Sequence, residues 1–186
     1  MPWYALQVYG GNEEKARKKL LREHGQVKTL LPQRVLQIRR QGKVSIQKRP
    51  FFEGYFFVYW DHPLNTLEAR DIVGSLRNLG GQPGVIRMTG VTIDKQSTGS
   101  DLVQPVSEDE MAVILELTKE SEEVGFSSYM FEGNQIQIVS GPLKGQEAKV
   151  VKVDPRKKRI KVEVSLLGRL HKIDLAAEMA QPAKHS

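Results

Sequence analysis

Among its 186 residues the sequence has no cysteine. That excludes disulfides, a thiolate nucleophile and cysteine-based zinc sites in one step, and it fits a reducing, cytoplasmic location. No apolar run approaches the roughly 20 residues that a membrane helix needs. The opening MPWYALQVYGG has neither the basic start nor the small-residue cleavage site of a secretory leader. Histidine is scarce, and His24, His62, His171 and His185 show no ligand spacing; His24 reads as a helix-end residue and His185 as a tail residue. No nucleophile with a neighbouring base and no catalytic carboxylate pair stands out, since Glu13-Glu14 reads as a helix start and Glu122-Glu123 as linker. Gly80-Gly81-Gln82-Pro83-Gly84 lacks the Lys and Ser/Thr of a phosphate-binding loop. The sequence therefore predicts no enzyme, no metal and no cofactor.

What is present describes a globular chain, 39% hydrophobic and 27% charged, long enough for one ordinary domain or two small ones. The formal net charge of +6 favours an anionic partner, nucleic acid first. Trp3 to Tyr9 reads as a strand that Gly10-Gly11 ends. Asn12 then caps a helix whose first turn carries Glu13 and Glu14 and whose apolar stripe is Ala16, Leu20 and Leu21. Arg34 to Arg49 alternates as a β-hairpin with Gln41-Gly42 at its tip. A helix over 64–79 and a short strand over 85–88 follow, then a polar loop at DKQSTGSD, Asp94 to Asp101. Ser107 and Glu110 form a capping-box signature before a helix with Met111, Ile114, Leu115 and Thr118 on one face. Lys119 to Ser128 reads as an acidic linker. From Gly133 the pattern is β, with strands around Ile136–Ile138, Ala148–Val153, Ile160–Val164 and Leu170–Ile173. Strands so short and closely spaced predict a small barrel.

One stretch breaks the rule that a surface strand is polar on one side. In RPFFEGYFFVYW, Tyr55, Phe57 and Tyr59 point one way and Phe56, Val58 and Trp60 the other. The pattern alone leaves two readings open: core on both faces, or one face reserved for a partner.

Three segments in order carry a resemblance. WYALQVYGGNE (Trp3 to Glu13) is similar to the opening of the NusG N-terminal (NGN) domain. FFEGYFFV (Phe51 to Val58) is similar to that domain's FFPGY strand. Gly133 to Arg169 resembles a KOW motif with the FGR loop after it. The implied fold is α+β: an antiparallel-sheet α/β sandwich at 1–118, a linker at 119–129, a five-stranded SH3-like barrel at 130–180 and a tail at 181–186. The implied function is transcription elongation and antitermination, carried out by a monomer. The N-terminal domain would dock on the clamp helices of the largest RNA polymerase subunit through Gln7, Phe52, Glu53, Gly54, Tyr55 and Phe57. Lys15, Lys18, Lys19 and Arg22 of the first helix, and Arg39, Arg40 and Lys43 of the hairpin, would reach upstream or non-template DNA through phosphate contacts. Asn65 and Thr66 correspond loosely to residues that touch the opposite side of the cleft in some relatives. In the barrel, Leu166, Leu167, Gly168 and Arg169 would meet ribosomal protein NusE or the termination factor Rho. The turn from Asp154 to Arg159 bears four cations and reads as a charged solvated turn, with RNA binding as the alternative.

Two positions depart from the pattern. Glu53 replaces the usual proline of FPGY, giving up its fixed φ, and Leu167 replaces the phenylalanine of FGR, giving up ring area for an anchor. The second departure puts NusE or Rho binding in doubt. Together they imply a specialised paralogue, and SGPLKGQEAKVVKVDPRKKR (Ser140 to Arg159) resembles the LoaP group of operon-specific antiterminators, which implies recruitment by a leader RNA hairpin to particular operons. The alternatives are a general NusG coupling polymerase to ribosome or Rho, or a ribosome-associated KOW protein. Some specialised members refold the C-terminal region into helices. Here the alternation at Ile160, Val162 and Val164, together with Gly141-Pro142 and Asp154-Pro155, predicts strands.

Overall fold

The computed structural model describes residues 2–25, 27–90, 101–119 and 121–180. Most of the expected polar loop at 94–101 and the tail at 181–186 lie outside them. By contacts the chain divides into two compact units: Met1–Pro32 with Phe52–Met111, and Gln33–Phe51 with Ala112–Ser186.

The first unit contains β1 (Trp3–Val8), α1 (Glu13–Glu23), β2 (Lys28–Leu30), β5 (Tyr55–Tyr59), α2 (Thr66–Leu76) and β6 (Val85–Met88). Its four strands form one antiparallel sheet in the order β2-β5-β1-β6. Alternation sends Tyr4, Leu6, Val8, Phe56 and Val58 into one core. Ala16 and Leu20 of α1 join it, as do Ala69, Ile72, Val73 and Leu76 of α2. The Leu64 amide donates to the Tyr4 hydroxyl at 2.9 Å, so the buried phenol is satisfied where the chain turns into α2.

Helix α2 begins later than its apolar run suggests, because Asn65 caps it. The Glu68 amide donates to Asn65 Oδ1 and the Asn65 amide to a Glu68 carboxylate oxygen, both at 2.9 Å. This reciprocal pair satisfies two otherwise unpartnered amides. The amide of Asn65 is the main influence holding the Glu68 carboxyl below its ordinary range. At the other end α2 carries no basic residue in its last turn. Lys19 of α1 supplies that cation, its ammonium donating to the carbonyls of Ser75 and Asn78.

The second unit contains β3 (Gln33–Arg40) and β4 (Lys43–Pro50), a two-residue hairpin in which Gln41 and Gly42 both have positive φ, 49° and 78°. That is the turn whose twist matches the flanking strands. The base of β3 pairs in parallel with β7 (Glu123–Val124), and Lys48 of β4 forms an ion pair with Glu123. Strand β7 falls in the stretch expected to be linker. The barrel strands are β8 (Ser127–Glu132), β9 (Gln135–Ser140), β10 (Val150–Asp154), β11 (Arg159–Leu166) and β12 (Arg169–Met179), ordered β10-β11-β12-β8-β9. Ile160, Val162, Val164 and Leu166 of β11 are all buried. Strand β8 also starts inside the expected linker; it contributes the fully buried Tyr129, and only its polar start had hidden it.

Helix α3 (Glu108–Leu117) spans the boundary between the units. Ser107 caps it as expected, its hydroxyl accepting from the Glu110 amide at 3.4 Å. The buried face is Met111, Ile114 and Leu117; Leu115, expected there, is exposed.

On the outer side of β11 and β12, Asp174 sits among three cations. Lys161 Nζ donates to it at 2.6 Å, an Arg159 nitrogen lies 3.6 Å from its second oxygen, and Arg34 of the hairpin donates to its backbone carbonyl at 3.4 Å. Burial opposes ionisation, but the Lys161 hydrogen bond and the charges of Lys161, Arg159 and Arg34 outweigh it and hold the carboxyl below its ordinary value. The linkage has a definite sign. A depressed carboxyl contributes stability above its unfolded value of 3.8, and the contribution is lost as pH falls through the folded value. Asp174→Asn is expected to cost about 1–2 kcal/mol at pH 7. In urea titrations of both proteins the difference should shrink steadily below pH 3.8. A constant difference across that range would show that the carboxylate charge is not what matters.

Candidate functional site

The Phe51–Tyr55 turn is built by two ties. Gly54 has φ +79°, a conformation costly for any residue with a Cβ, and an added Cβ would stand 3.1 Å from the Val8 carbonyl oxygen. The Val8 amide donates to the Gly54 carbonyl at 2.8 Å. The Gly54 amide donates at 2.8 Å to the carboxylate of Glu13, which is buried at the start of α1. Glu13 thus fastens the turn as well as opening a helix, a long-range role that the sequence does not signal.

This geometry narrows the expected docking patch. Phe57 is fully buried, Phe52 is 3% exposed, and their rings meet edge-to-face with centroids 6.0 Å apart. Ala5, which pairs with Phe57 in the adjacent strand, is also fully buried. The centre of the aromatic strand is therefore buried on both faces, and Phe52 and Phe57 are not surface anchors in this structure. Gly54 is buried too. The accessible members are Glu53, Tyr55 and Gln7. Gln7 lies between Tyr55 and Arg87 in register, and Arg87 Nε donates to its side-chain oxygen at 2.8 Å. Arg87 belongs to this surface, although no local sequence feature marked it. At the other end of the strand, Tyr59 packs edge-on against Trp3 and beneath the Lys28 ammonium.

The cations expected on α1 divide. Lys19 is committed to the end of α2. Lys15 donates to the Gln82 side chain, and Lys18 lies 3.8 Å from Glu14 while remaining 74% exposed. Arg22 is exposed in the last turn. Arg39, Arg40 and Lys43 are all exposed at the hairpin tip. Asn65 and Thr66 are occupied by the fold: Asn65 by the cap, and Thr66 by donating from its amide and hydroxyl to the Asp101 carbonyl at 2.9 Å.

In the barrel, Leu167 and Gly168 form the two-residue turn between β11 and β12, with φ of 55° and 72°. A left-handed leucine costs about 1–2 kcal/mol. Leu166 is 1% exposed and belongs to the barrel core, which corrects its expected place in a contact surface. The exposed apolar side chain at this end is Leu170, 71% exposed and directly after Arg169. The turn before β10 explains another part of the motif. Gly141 has φ +92°, and a Cβ there would meet the Phe126 carbonyl oxygen at 2.5 Å and Ser127 Cα at 2.6 Å. Ser127 is buried, and its hydroxyl accepts from the Leu143 amide at 3.1 Å. The Asp154 carboxylate accepts from the Lys157 amide at 3.0 Å, closing the basic turn on itself.

Among the described residues no group of three or more His, Asp or Glu is placed to hold a metal, and no helix is long and apolar enough to cross a membrane.

A sheet-and-helix unit opening on an aromatic strand, with a small barrel following it in sequence, defines a protein of two parts, one a helix-covered sheet and the other a short-stranded barrel. The family profile described as "Transcription termination factor nusG" matches residues 1–115, and the KOW motif profile matches residues 132–163. The chain belongs to the NusG family, whose members are transcription factors and not enzymes. It is 27% identical over 184 residues to the transcription termination/antitermination protein NusG of Treponema pallidum, covering 93% of this chain and 94% of that one. The protein of the same name from Thermus thermophilus is 28% identical over 190 residues, with the same two coverages.

Proposed function

We propose that this protein is an elongation and antitermination factor that docks on the clamp helices of RNA polymerase, suppresses pausing and acts on particular operons in the LoaP-like manner. The observation carrying this reading is Tyr55. It is half-buried at the open end of the aromatic strand, beside Gln7 and Arg87, on a turn locked by Gly54 and Glu13. A half-buried phenol, amphipathic and low in conformational freedom, suits an interface anchor. Glu53 at the rim offers a carboxylate to a basic partner. Lys15, Lys18 and Arg22, with the hairpin cations, contact upstream or non-template DNA through phosphates. In this reading the NGN domain is 1–118 and the KOW barrel runs from β8, which starts at Ser127, to 180. The barrel tethers a second factor or a leader RNA hairpin, with Leu167, Gly168, Arg169 and Leu170 at the contact. NusE or Rho would find there an aliphatic tip in place of a ring. The protein works as a cytoplasmic monomer.

Single-round transcription with cognate polymerase tests this, on terminator templates with and without candidate leader hairpins. Readthrough is expected only with a particular leader, falling several-fold for Tyr55→Ala while the variant keeps wild-type melting behaviour. Equal action on every template would make the protein a general elongation factor. No action where a general NusG works in the same mixture would overturn the docking assignment.

A further inference from the structure

Charge is not spread evenly along this chain. Six of the 28 basic residues, Arg34, Arg39, Arg40, Lys43, Lys48 and Arg49, and none of the 22 acidic ones, lie between Gln33 and Pro50. The rest of the sequence is formally neutral, so the whole +6 resides in the β3–β4 hairpin. Two of the six are engaged at the base, where Lys48 forms an ion pair with Glu123 and Arg34 donates to the Asp174 carbonyl. The distal ribbon is different. Every residue from Arg39 to Ile46 is exposed, and Val44 and Ile46 are 55% and 57% exposed. In register, Arg39 lies opposite Val44 and Gln37 opposite Ile46, so one face of the ribbon carries two aliphatic side chains between a guanidinium and an amide.

We infer that this distal ribbon enters the major groove of duplex DNA, with Arg39, Arg40 and Lys43 on the phosphates and Val44 and Ile46 against the base edges. The inference deepens the proposed phosphate contact by the hairpin and rests on it. Three observations select the partner. A two-stranded ribbon fits the roughly 12 Å major groove of B-form DNA, whereas the deep groove of A-form RNA is too narrow to admit it. The hairpin contains no Phe, Tyr, Trp or His, so it has no platform on which unpaired bases could stack. Exposed β-branched aliphatics among cations suit thymine methyl groups. The base is pinned by pairing to β7 and by the burial of Leu36, so the tip is presented by a fixed support.

The test is fluorescence anisotropy with the full chain, without polymerase. The probes are a labelled 20-base-pair DNA duplex, its single strand and an RNA duplex of the same sequence, across a NaCl series. The duplex DNA should bind tightest, with log K falling against log salt at a slope of about −2.7 for three phosphate contacts. Arg40→Gln with Lys43→Gln should reduce that slope by about 1.8 and the affinity about tenfold or more. Val44→Ser with Ile46→Ser should weaken duplex binding several-fold and leave the slope unchanged. Lys18→Gln with Arg22→Gln should change duplex affinity less than the hairpin variants do. Tighter binding of the single strand or the RNA duplex overturns the inference, as does indifference to the hairpin variants. Because polymerase is absent, either failure leaves the Tyr55 docking result standing; loss of Tyr55 docking with intact duplex binding would separate the two the other way.

Discussion

Phe57→Ala is expected to lower stability by about 3–5 kcal/mol, the usual cost of deleting a fully enclosed phenyl ring. At roughly 4–8 °C per kcal/mol for a unit of this size, the melting temperature should fall by about 12 °C or more. Phe57 is completely buried and packs on Phe52, which is nearly so, leaving no solvent-filled space into which the strand can relax cheaply. The result bears directly on function. A Phe57→Ala protein that fails to promote readthrough says little about docking, because a loss of this size consumes a large part of a domain's 5–15 kcal/mol. Tyr55→Ala removes a half-exposed ring and should cost about 1 kcal/mol, well inside the margin. Thermal and urea unfolding of both variants beside wild type would decide the matter. A Phe57→Ala protein within about 1 kcal/mol of wild type would mean that the second face of the strand is open to solvent and available to polymerase after all.

Gly141→Ala should lower the stability of the second unit by about 3 kcal/mol or more. Two effects combine. The φ of +92° disfavours any Cβ, and the added carbon would press on backbone atoms of Phe126 and Ser127, which cannot swing away. Gly42→Ala is the matched control: its φ is +78°, but nothing lies within 4 Å of an added Cβ. It should cost about 1 kcal/mol, the conformational part alone. Equal costs for the two substitutions, read by urea unfolding, would rule out the collision. The expected contrast explains why a glycine stands before Pro142 in the KOW motif: the turn must lie flush on the start of β8.

The hairpin was legible in the sequence because its information is local. Period-two alternation and the Gln41-Gly42 tip define two strands and the turn between them without reference to anything else. The β11 alternation and the capping serine of α3 were legible for the same reason. Strands β7 and β8 were not. Glu123-Val124 is too short to show a period, and Ser127-Ser128 is polar, so both borrow their strand character from partners remote in sequence, β3 for one and β9 and β12 for the other. The candidate site divides the same way. Tyr55 could be read from an aromatic strand, but the burial of Phe57 could not, since a strand apolar on both sides suits core and interface equally. Lys19 looked like its neighbours Lys15 and Lys18; only the fold brings it to carbonyls 56 and 59 residues away. Glu13 looked like a helix-start carboxylate until Gly54, 41 residues later, was found donating to it.

The parallel pairing of Gln33 and Arg34 with Glu123 and Val124 also orders events on the ribosome. The strand that completes the hairpin's base is translated about 90 residues after the strand it joins. At roughly 5–20 residues per second, the ribbon emerges from the exit tunnel about 5–20 s before its support exists. During that interval the nascent chain displays an edge strand and the protein's entire excess of positive charge next to ribosomal RNA. Its cations and its lack of a long apolar run are the features that guard such an edge against aggregation while synthesis finishes.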